Sequence, residues 1–350
     1  MKAGRVLLVV LSLITLAALG TLAYGVYTHF AVAPVSDVTQ CERASGQARI
    51  AACTAVIEAQ QRNGDATFRA AINRGNAYSE LGRYRRAFDD YNAALLWNPD
   101  SSVARNNRGY ALYRLGQYQR ALDDYNEALR LESNDVTALL NRARVTCALD
   151  QCALAIKDFD AALRLRPNDA NAFYGRGHAN YALGRYDLAV RDYDAALRLA
   201  PKALQILASR GAAYSEIGQP RLAIADLDRA IEDEPSGYNF NDRCWARAIW
   251  GQQLDLALAD CNEALRLKPG QPAFLDSRAL VYFRMGKYAA AIADTHAALG
   301  ERPDLAGSLY VLGLARLRTG DDRNADADIE AAKKLDPKIA ETYAGYGVTP

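Results

Sequence analysis

From Arg86 to Leu95 the chain reads Arg-Ala-Phe-Asp-Asp-Tyr-Asn-Ala-Ala-Leu, with Ala87 and Ala94 seven residues apart and Pro99 closing the stretch. Seven residues return to nearly the same side of a helix, so the segment predicts a helix carrying a stripe of small residues. The pattern recurs every 34 residues. Ala87 is answered by Ala121, Ala155, Ala189, Ala223, Ala257, Ala291 and Ala325, and Ala94 by Ala128, Ala162, Ala196, Ala230, Ala264, Ala298 and Ala332. Pro99 recurs as Pro167, Pro201, Pro235, Pro269, Pro303 and Pro337, with Ser133 the one gap. A small stripe lets a second helix come close, and a proline just past the last turn ends the first.

The period divides residues 68–339 into eight units beginning at Phe68, Ser102, Val136, Ala170, Leu204, Tyr238, Pro272 and Ala306, each read as helix, short turn, helix, short turn. Gly82, Gly116, Gly184, Gly218, Gly286 and Gly320 mark the inner turn, as a left-handed C-cap requires. The first helix has its own small position at Gly75, Gly109, Ala143, Gly177, Gly211, Ala279 and Gly313. Glycine within a helix costs about 1 kcal/mol relative to alanine. Its recurrence predicts close backbone approach to the partner's alanine stripe. An array of this kind extends one continuous core, which overrides the two or three domains that 350 residues would otherwise suggest.

Residues 1–33 read as a cytoplasmic stub and a signal anchor. Lys2 and Arg5 precede an apolar run from Val6 to Tyr27, about 22 residues, long enough to span a hydrocarbon core and longer than a signal-peptide core. No Lys or Arg follows until Arg43, so the positive-inside rule keeps the N-terminus in the cytoplasm and exports the remainder. Ala31-Val32-Ala33 resembles a cleavage site, but Pro34 follows it directly, which favours an uncleaved anchor over a secreted form. Residues 34–67 form a degenerate first half-unit in which Cys53 stands where Tyr91 does later, with about four extra residues between Gln60 and Asp65. Residues 340–350, with Ile339 leading in, are expected to form a short capping helix and tail.

The small residue of the first helix, the paired alanines, the aromatic between them and the closing proline resemble the tetratricopeptide repeat over about 270 residues. The resemblance implies an all-α solenoid, a right-handed superhelix of antiparallel helix pairs with the first helices lining a concave groove. With the N-terminal segment, the expected fold is this solenoid preceded by one transmembrane helix. The resemblance also implies protein or peptide ligands in the groove. Some family members hold a C-terminal carboxylate in a cationic clamp. Asn76 and Asn107 match parts of that clamp, but Ile72 and Thr137 stand where it has cations, so that activity does not transfer.

The cysteines fall as Cys41/Cys53, Cys147/Cys152 and Cys244/Cys261, each pair within one unit and none with zinc-finger spacing. In an exported chain they predict three disulfides between first and second helices. The sixth unit has Gly251 one residue early, leaving two registers open; in the shifted one Cys244 takes the small position and Trp245 turns toward the groove. Asp90, Asp124, Asp158, Asp192, Asp226, Asp260, Asp294 and Asp328 recur beside the stripe, and Arg74, Arg108, Arg142, Arg176, Arg210 and Arg278 precede the small position. They fit either an Arg–Asp ladder or a solvated row of charges.

Lys plus Arg (42) nearly equals Asp plus Glu (41), which removes the basic field that nucleic acid would need. Three His and two Met offer no multi-His metal site, and each turn glycine of the repeat closes a helix instead of opening one around phosphate. No cofactor, metal, small-molecule substrate or catalytic residue is expected. Groove residues are instead expected on the first helices: Asn76, Asn106, Tyr110, Tyr113, Arg114, Arg144, Asn171, Tyr174, His178 and Tyr181, with Trp245 and Phe283 further along. Tyrosine offers contact area at small entropic cost, and asparagine can bond a peptide backbone. The sequence thus predicts a non-enzymatic scaffold, tethered to a bacterial inner membrane with its repeats in the periplasm, that binds a peptide or partner helix. The alternative is an envelope-assembly or enzyme-accessory factor that positions partner proteins.

Overall fold

The structure, a computed structural model, describes residues 35–59 and 64–350. The expected signal anchor and the Ala31-Val32-Ala33 site lie outside the described residues, among which no helix is long and apolar enough to cross a membrane. The described residues form nineteen α-helices and no strand. They fall into two compact units that divide between Leu154 and Ala155.

The first unit contains α1 (Val35–Arg43), α2 (Gly46–Ala59), α3 (Gly64–Glu80), α4 (Tyr84–Trp97), α5 (Ser102–Arg114), α6 (Tyr118–Leu131) and α7 (Val136–Ala148). Helix α8 (Cys152–Leu165) begins in it. The second unit continues with α9 (Ala170–Ala182), α10 (Tyr186–Leu199), α11 (Leu204–Glu216), α12 (Pro220–Asp233), α13 (Gly237–Trp250) and α14 (Leu254–Leu267). It ends with α15 (Pro272–Arg284), α16 (Tyr288–Glu301), α17 (Ala306–Thr319), α18 (Asp322–Leu335) and the short α19 (Ile339–Gly345). Helix α3 starts at Gly64 instead of Phe68, so it has 17 residues against 13 in α5.

All sixteen alanines of the two stripes are fully buried. The first-helix glycines face mainly the large residue between those alanines. A Cβ on Gly75 would stand 2.6 Å from the Tyr91 ring, one on Gly109 2.8 Å from Tyr125, and one on Gly177 2.6 Å from Tyr193. The expected approach to backbone occurs where the aromatic is replaced. Beside Leu227, a Cβ on Gly211 would lie 3.2 Å from the Ala223 carbonyl oxygen; beside Ile329, one on Gly313 would lie 2.9 Å from that of Ala325. Where the second helix presents the smaller Thr295, the first carries Ala279, and both are buried. The glycine thus makes room for a ring.

The turns show which part of the pattern is geometric. Gly116 has φ 74°, and its equivalent Asp150 adopts φ 60°, a conformation that aspartate tolerates better than most residues. Glu132, before Ser133, ends α6 with φ −138° and ψ 85°, nearly the angles of Lys268 before Pro269 (−138°, 87°). Stacking therefore sets the exit angle, and proline suits it.

The sixth repeat adopts the shifted register. Helix α13 starts at Gly237, Cys244 is buried in the small position, and the lengthened turn passes through Gly251 (φ 71°) and Gln253 (φ 55°). Disulfides join Cys41 to Cys53, Cys147 to Cys152 and Cys244 to Cys261, with Cα separations of 4.6, 4.1 and 5.5 Å. The last places a covalent bond where other repeats set a ring on a glycine.

The Arg–Asp pairs form a ladder. Arg210 donates from Nε and Nη2 to both oxygens of Asp226 at 2.7 and 2.8 Å, and from Nη1 to Asp194 at 2.6 Å. One guanidinium on α11 thereby ties together the second helices α10 and α12. Arg74, Arg108, Arg176 and Arg278 hold Asp90, Asp124, Asp192 and Asp294 in the same bidentate way. Arg243 serves Asp260 in the shifted register, and Arg316, one turn later on its helix, reaches Asp328. Asp90, Asp124, Asp192, Asp226, Asp260 and Asp294 are buried and Asp328 is half-buried, which separates these pairs from solvated surface bridges. Burial pushes the Asp90 carboxyl upward, and the hydrogen bonds from Arg74 pull it back down.

Two stability outcomes follow. Gly109→Ala should lower stability by about 1–2 kcal/mol in chemical denaturation, because overpacking against Tyr125 outweighs the gain in helix propensity. Arg210→Ala should cost about 3–5 kcal/mol by leaving Asp226 buried without its cation, and a double-mutant cycle with Asp226→Asn should recover part of the loss.

Candidate functional site

Within each unit, first helices of successive repeats pack directly on one another, as α11 does on α13 and α13 on α15. Among the described residues the second helices make no comparable mutual contact. Each unit therefore curves with its first helices on the inner side, where the expected groove residues lie.

In the first unit, an asparagine relay runs across α3, α5 and α7. Asn107 Nδ2 donates to Asn76 Oδ1 at 3.0 Å, Asn141 Nδ2 to Asn106 Oδ1 at 3.1 Å, and Asn106 Nδ2 to Asn107 Oδ1 at 3.3 Å. Tyr91, otherwise buried, donates its hydroxyl to Asn76 at 2.8 Å. Above the relay is an open pocket of about 430 Å³, rimmed by Ser79, Glu80, Tyr110 and Thr137. Asn106 is largely buried between helices and still contributes to the lining of this pocket. Asn107 and Asn141 complete the relay; together with Asn73 they recur at the 34-residue period, a signal legible in the sequence.

Several expected groove aromatics lean on tyrosines that open second helices. Tyr113 lies 5.7 Å from Tyr118, Tyr181 5.2 Å from Tyr186, and Phe283 5.6 Å from Tyr288, between ring centres. Phe283 is buried by this contact, so it supports the inner turn and does not line the groove as expected. Tyr110 meets the Tyr84 ring at 6.3 Å and accepts from Arg114 Nη1 at 2.9 Å, while that guanidinium sits 4.4 Å from the centre of Tyr84. Arg144 is exposed.

In the second unit, Asn171 is exposed in the first turn of α9, where its backbone N–H is capped by Asp169. Tyr174 and His178 meet edge to face at 4.6 Å, and both flank Tyr193. Ser209 Oγ lies 3.4 Å from Tyr174 Oη and from His178 Nε2 but donates to the Gln205 carbonyl at 2.9 Å. The hydroxyl proton is thus committed to the helix, which is poor geometry for a nucleophile. Desolvation by the surrounding protein lowers the His178 pKa.

Further along this face stand two carboxylates, Glu216 at the end of α11 and Asp242 on α13. Desolvation raises both, Asp242 to about 7 against a partial offset from Asn241. Burial, with Glu216 and Asp242 nearby, also raises the Tyr181 hydroxyl. Beyond α19 the chain turns through Gly347 (φ 73°) and its last residues run along the first helices. Arg284 donates to the carbonyls of Tyr346 and Ile249, Arg318 to that of Thr349, and the Trp245 and Tyr346 rings meet edge to face at 6.0 Å.

Stacked antiparallel helix pairs with a lined inner face define a repeat-solenoid scaffold. Tetratricopeptide-repeat models match residues 68–101, 102–135, 140–203 and 277–338, together more than half of the chain, which belongs to that family. No curated protein gives a significant match. Among solved structures, the Cut9–Hcn1 hetero-tetramer of APC/C shares 14% identity over 86% of this chain and 59% of that one, with a TM-score of 0.60. A tetratricopeptide repeat protein from Parabacteroides merdae ATCC 43184 shares 21% identity over 81% of this chain and 99% of that one (TM-score 0.45). YrrB, described as a TPR protein with an unusual peptide-binding site, shares 22% over 53% and 95% (TM-score 0.42). At these identities the likeness concerns fold.

Because Asp242 holds its proton more tightly when folded, its ionisation destabilises the fold progressively as pH rises from about 4 toward 7. Asp242→Asn should raise the melting temperature most at pH 8, with the gain shrinking toward pH 4 in a calorimetric series.

Proposed function

We propose that the protein is a non-enzymatic scaffold that binds an extended segment of a partner protein along its first helices. The observation carrying this reading is the asparagine relay beneath an open pocket. The described bonds use one N–H of Asn107 and one of Asn141, and a carboxamide has a second donor that can meet a peptide carbonyl. Tyr110 lines the pocket and offers contact area, and Arg144, exposed on the same helix as Asn141, offers charge. Membership of a family that generally mediates protein–protein interaction supports the reading.

The scaffold is held at the bacterial inner membrane by residues 1–33, with the repeats in the periplasm. The apolar N-terminal run and three disulfides, which persist in oxidising compartments, support this placement. A role in assembling the envelope or positioning an enzyme is compatible with the same surface.

Random ten-residue peptides displayed on phage and selected against the full chain test the binding site. Selected peptides should lose at least tenfold in affinity for Tyr110→Ala or Arg144→Ala while melting temperatures stay unchanged; affinity indifferent to both would refute the site. In cells, the full chain should resist carbonate extraction from membranes, and release into the soluble fraction would remove the tether.

A further inference from the structure

The inner turn of the first repeat carries Arg83, Arg85 and Arg86 within four residues, all of them exposed. Among the described residues, no side-chain hydrogen bond or ion pair engages any of the three. The turn itself does not call for them. The same three positions hold at most one cation in every other repeat: Gln117, Gln119 and Arg120 in the second, Gln151, Ala153 and Leu154 in the third. Arg83 precedes α4 with φ −88° and ψ 57°, and Gln117 precedes α6 with φ −90° and ψ 62°, so glutamine makes the same turn.

An open cavity of about 600 Å³ lies at this turn, lined by Gly82, Arg83, Tyr84, Arg85, Arg86 and Leu115, with no carboxylate in its wall. Two further cations reach α4 from the second repeat, Arg114 over the Tyr84 ring and Arg120 at 5.3 Å from the centre of Phe88. Arg86 in turn sits 5.6 Å from the centre of Tyr78. A guanidinium stacked on a ring is held in place by its face and keeps in-plane N–H donors for a bidentate partner. The neighbouring carboxylates do not neutralise the cluster. Glu80 is bridged to Arg49 at 3.1 Å, Asp123 accepts from Gln119, and Asp89, one helical turn past Arg85, makes no described ion pair.

We infer that this turn is a docking surface for an acidic segment of a partner protein, whose Asp and Glu carboxylates are received by Arg83, Arg85 and Arg86, with Arg114 and Arg120 extending the surface onto the second repeat. Charge complementarity fixes the sign of the occupant, and two observations fix its class. The arginines stop at the third repeat, whose turn reads Asp150-Gln151, and the whole chain carries a formal charge of only +1, so no extended field runs along the molecule for a polyanion. Leu81 and Tyr118 are exposed in the same two turns, and arginine set among aromatic and apolar side chains is the composition of a protein interface. The surface lies at the helix ends, outside the lining of the relay pocket, and does not depend on the groove reading.

The probe is the capped peptide Gly-Glu-Leu-Asp-Glu-Tyr-Asp-Gly, titrated against the full chain by calorimetry. Its amide version, with Gln and Asn for Glu and Asp, serves as one comparison; glycerophosphoglycerol, an anionic lipid headgroup, and a short DNA duplex serve as the others. The acidic peptide should bind, weaken several-fold from low to physiological salt, and exceed each comparison at least tenfold. Arg83→Gln, Arg85→Gln and Arg86→Gln combined should lower its affinity at least tenfold at an unchanged melting temperature. Arg323→Gln, in the inner turn of the eighth repeat, should leave the affinity as it is. Absence of binding, binding that survives the triple substitution, an equal response to the amide peptide, or an equal loss from Arg323→Gln would overturn the assignment. Tighter binding of the headgroup or the duplex would overturn it in favour of a lipid or nucleic acid, and a lowered melting temperature of the triple variant would return these arginines to the fold.

Discussion

A tyrosine ring needs space, and in this fold that space is the missing side chain of a glycine on the facing helix. The contact between Tyr125 and Gly109, repeated with variations, sets how closely the helices of a pair approach. The buried alanines do the same on the outer side of the ring. Substitutions at this contact are complementary. Thr295 accompanies Ala279, and Cys261 accompanies Cys244, to which it is bonded. What persists is the summed volume at the contact, as close packing demands.

Charge is handled in two ways. Along the ladder, each buried aspartate meets an arginine in bidentate geometry, and most of those arginines also reach the preceding second helix. Desolvating the carboxylate is offset locally, and the guanidinium joins neighbouring repeats. On the inner face of the second unit, Glu216 and Asp242 meet no described cation, and burial raises both carboxyls. Both sets are acidic side chains on helices. They differ in the partner provided: the ladder carboxylates meet arginine, and these two meet no described cation.

Periodicity made most of the framework legible. The first helices α5, α7, α9, α11, α15 and α17 begin where the 34-residue period placed them, because alanine spacing, turn glycines and closing prolines all report the same local geometry. The inner face was harder to read. Tyr113, Tyr181 and Phe283 share a position, yet Phe283 is buried and Tyr181 borders the carboxylate pair. Their roles depend on which side chains arrive from other repeats. Asn106 and Asn107, adjacent in the chain, bridge in opposite directions, Asn106 to Asn141 on the following first helix and Asn107 to Asn76 on the preceding one.

By itself the sequence determined the repeat, its helices, the residues facing each partner helix and the pairing of the cysteines within units. All of these rest on interactions between residues at a constant separation along the chain, so a single repeat contains their explanation. Only the tertiary structure decided the register of the sixth repeat, the burial of the Arg–Asp ladder, and the course of the C-terminal residues past Trp245 and Arg284. It also decided which carboxylates lack a cation. Those outcomes depend on groups brought together from separate repeats, where desolvation and hydrogen-bond supply are set by position in space instead of spacing in the chain.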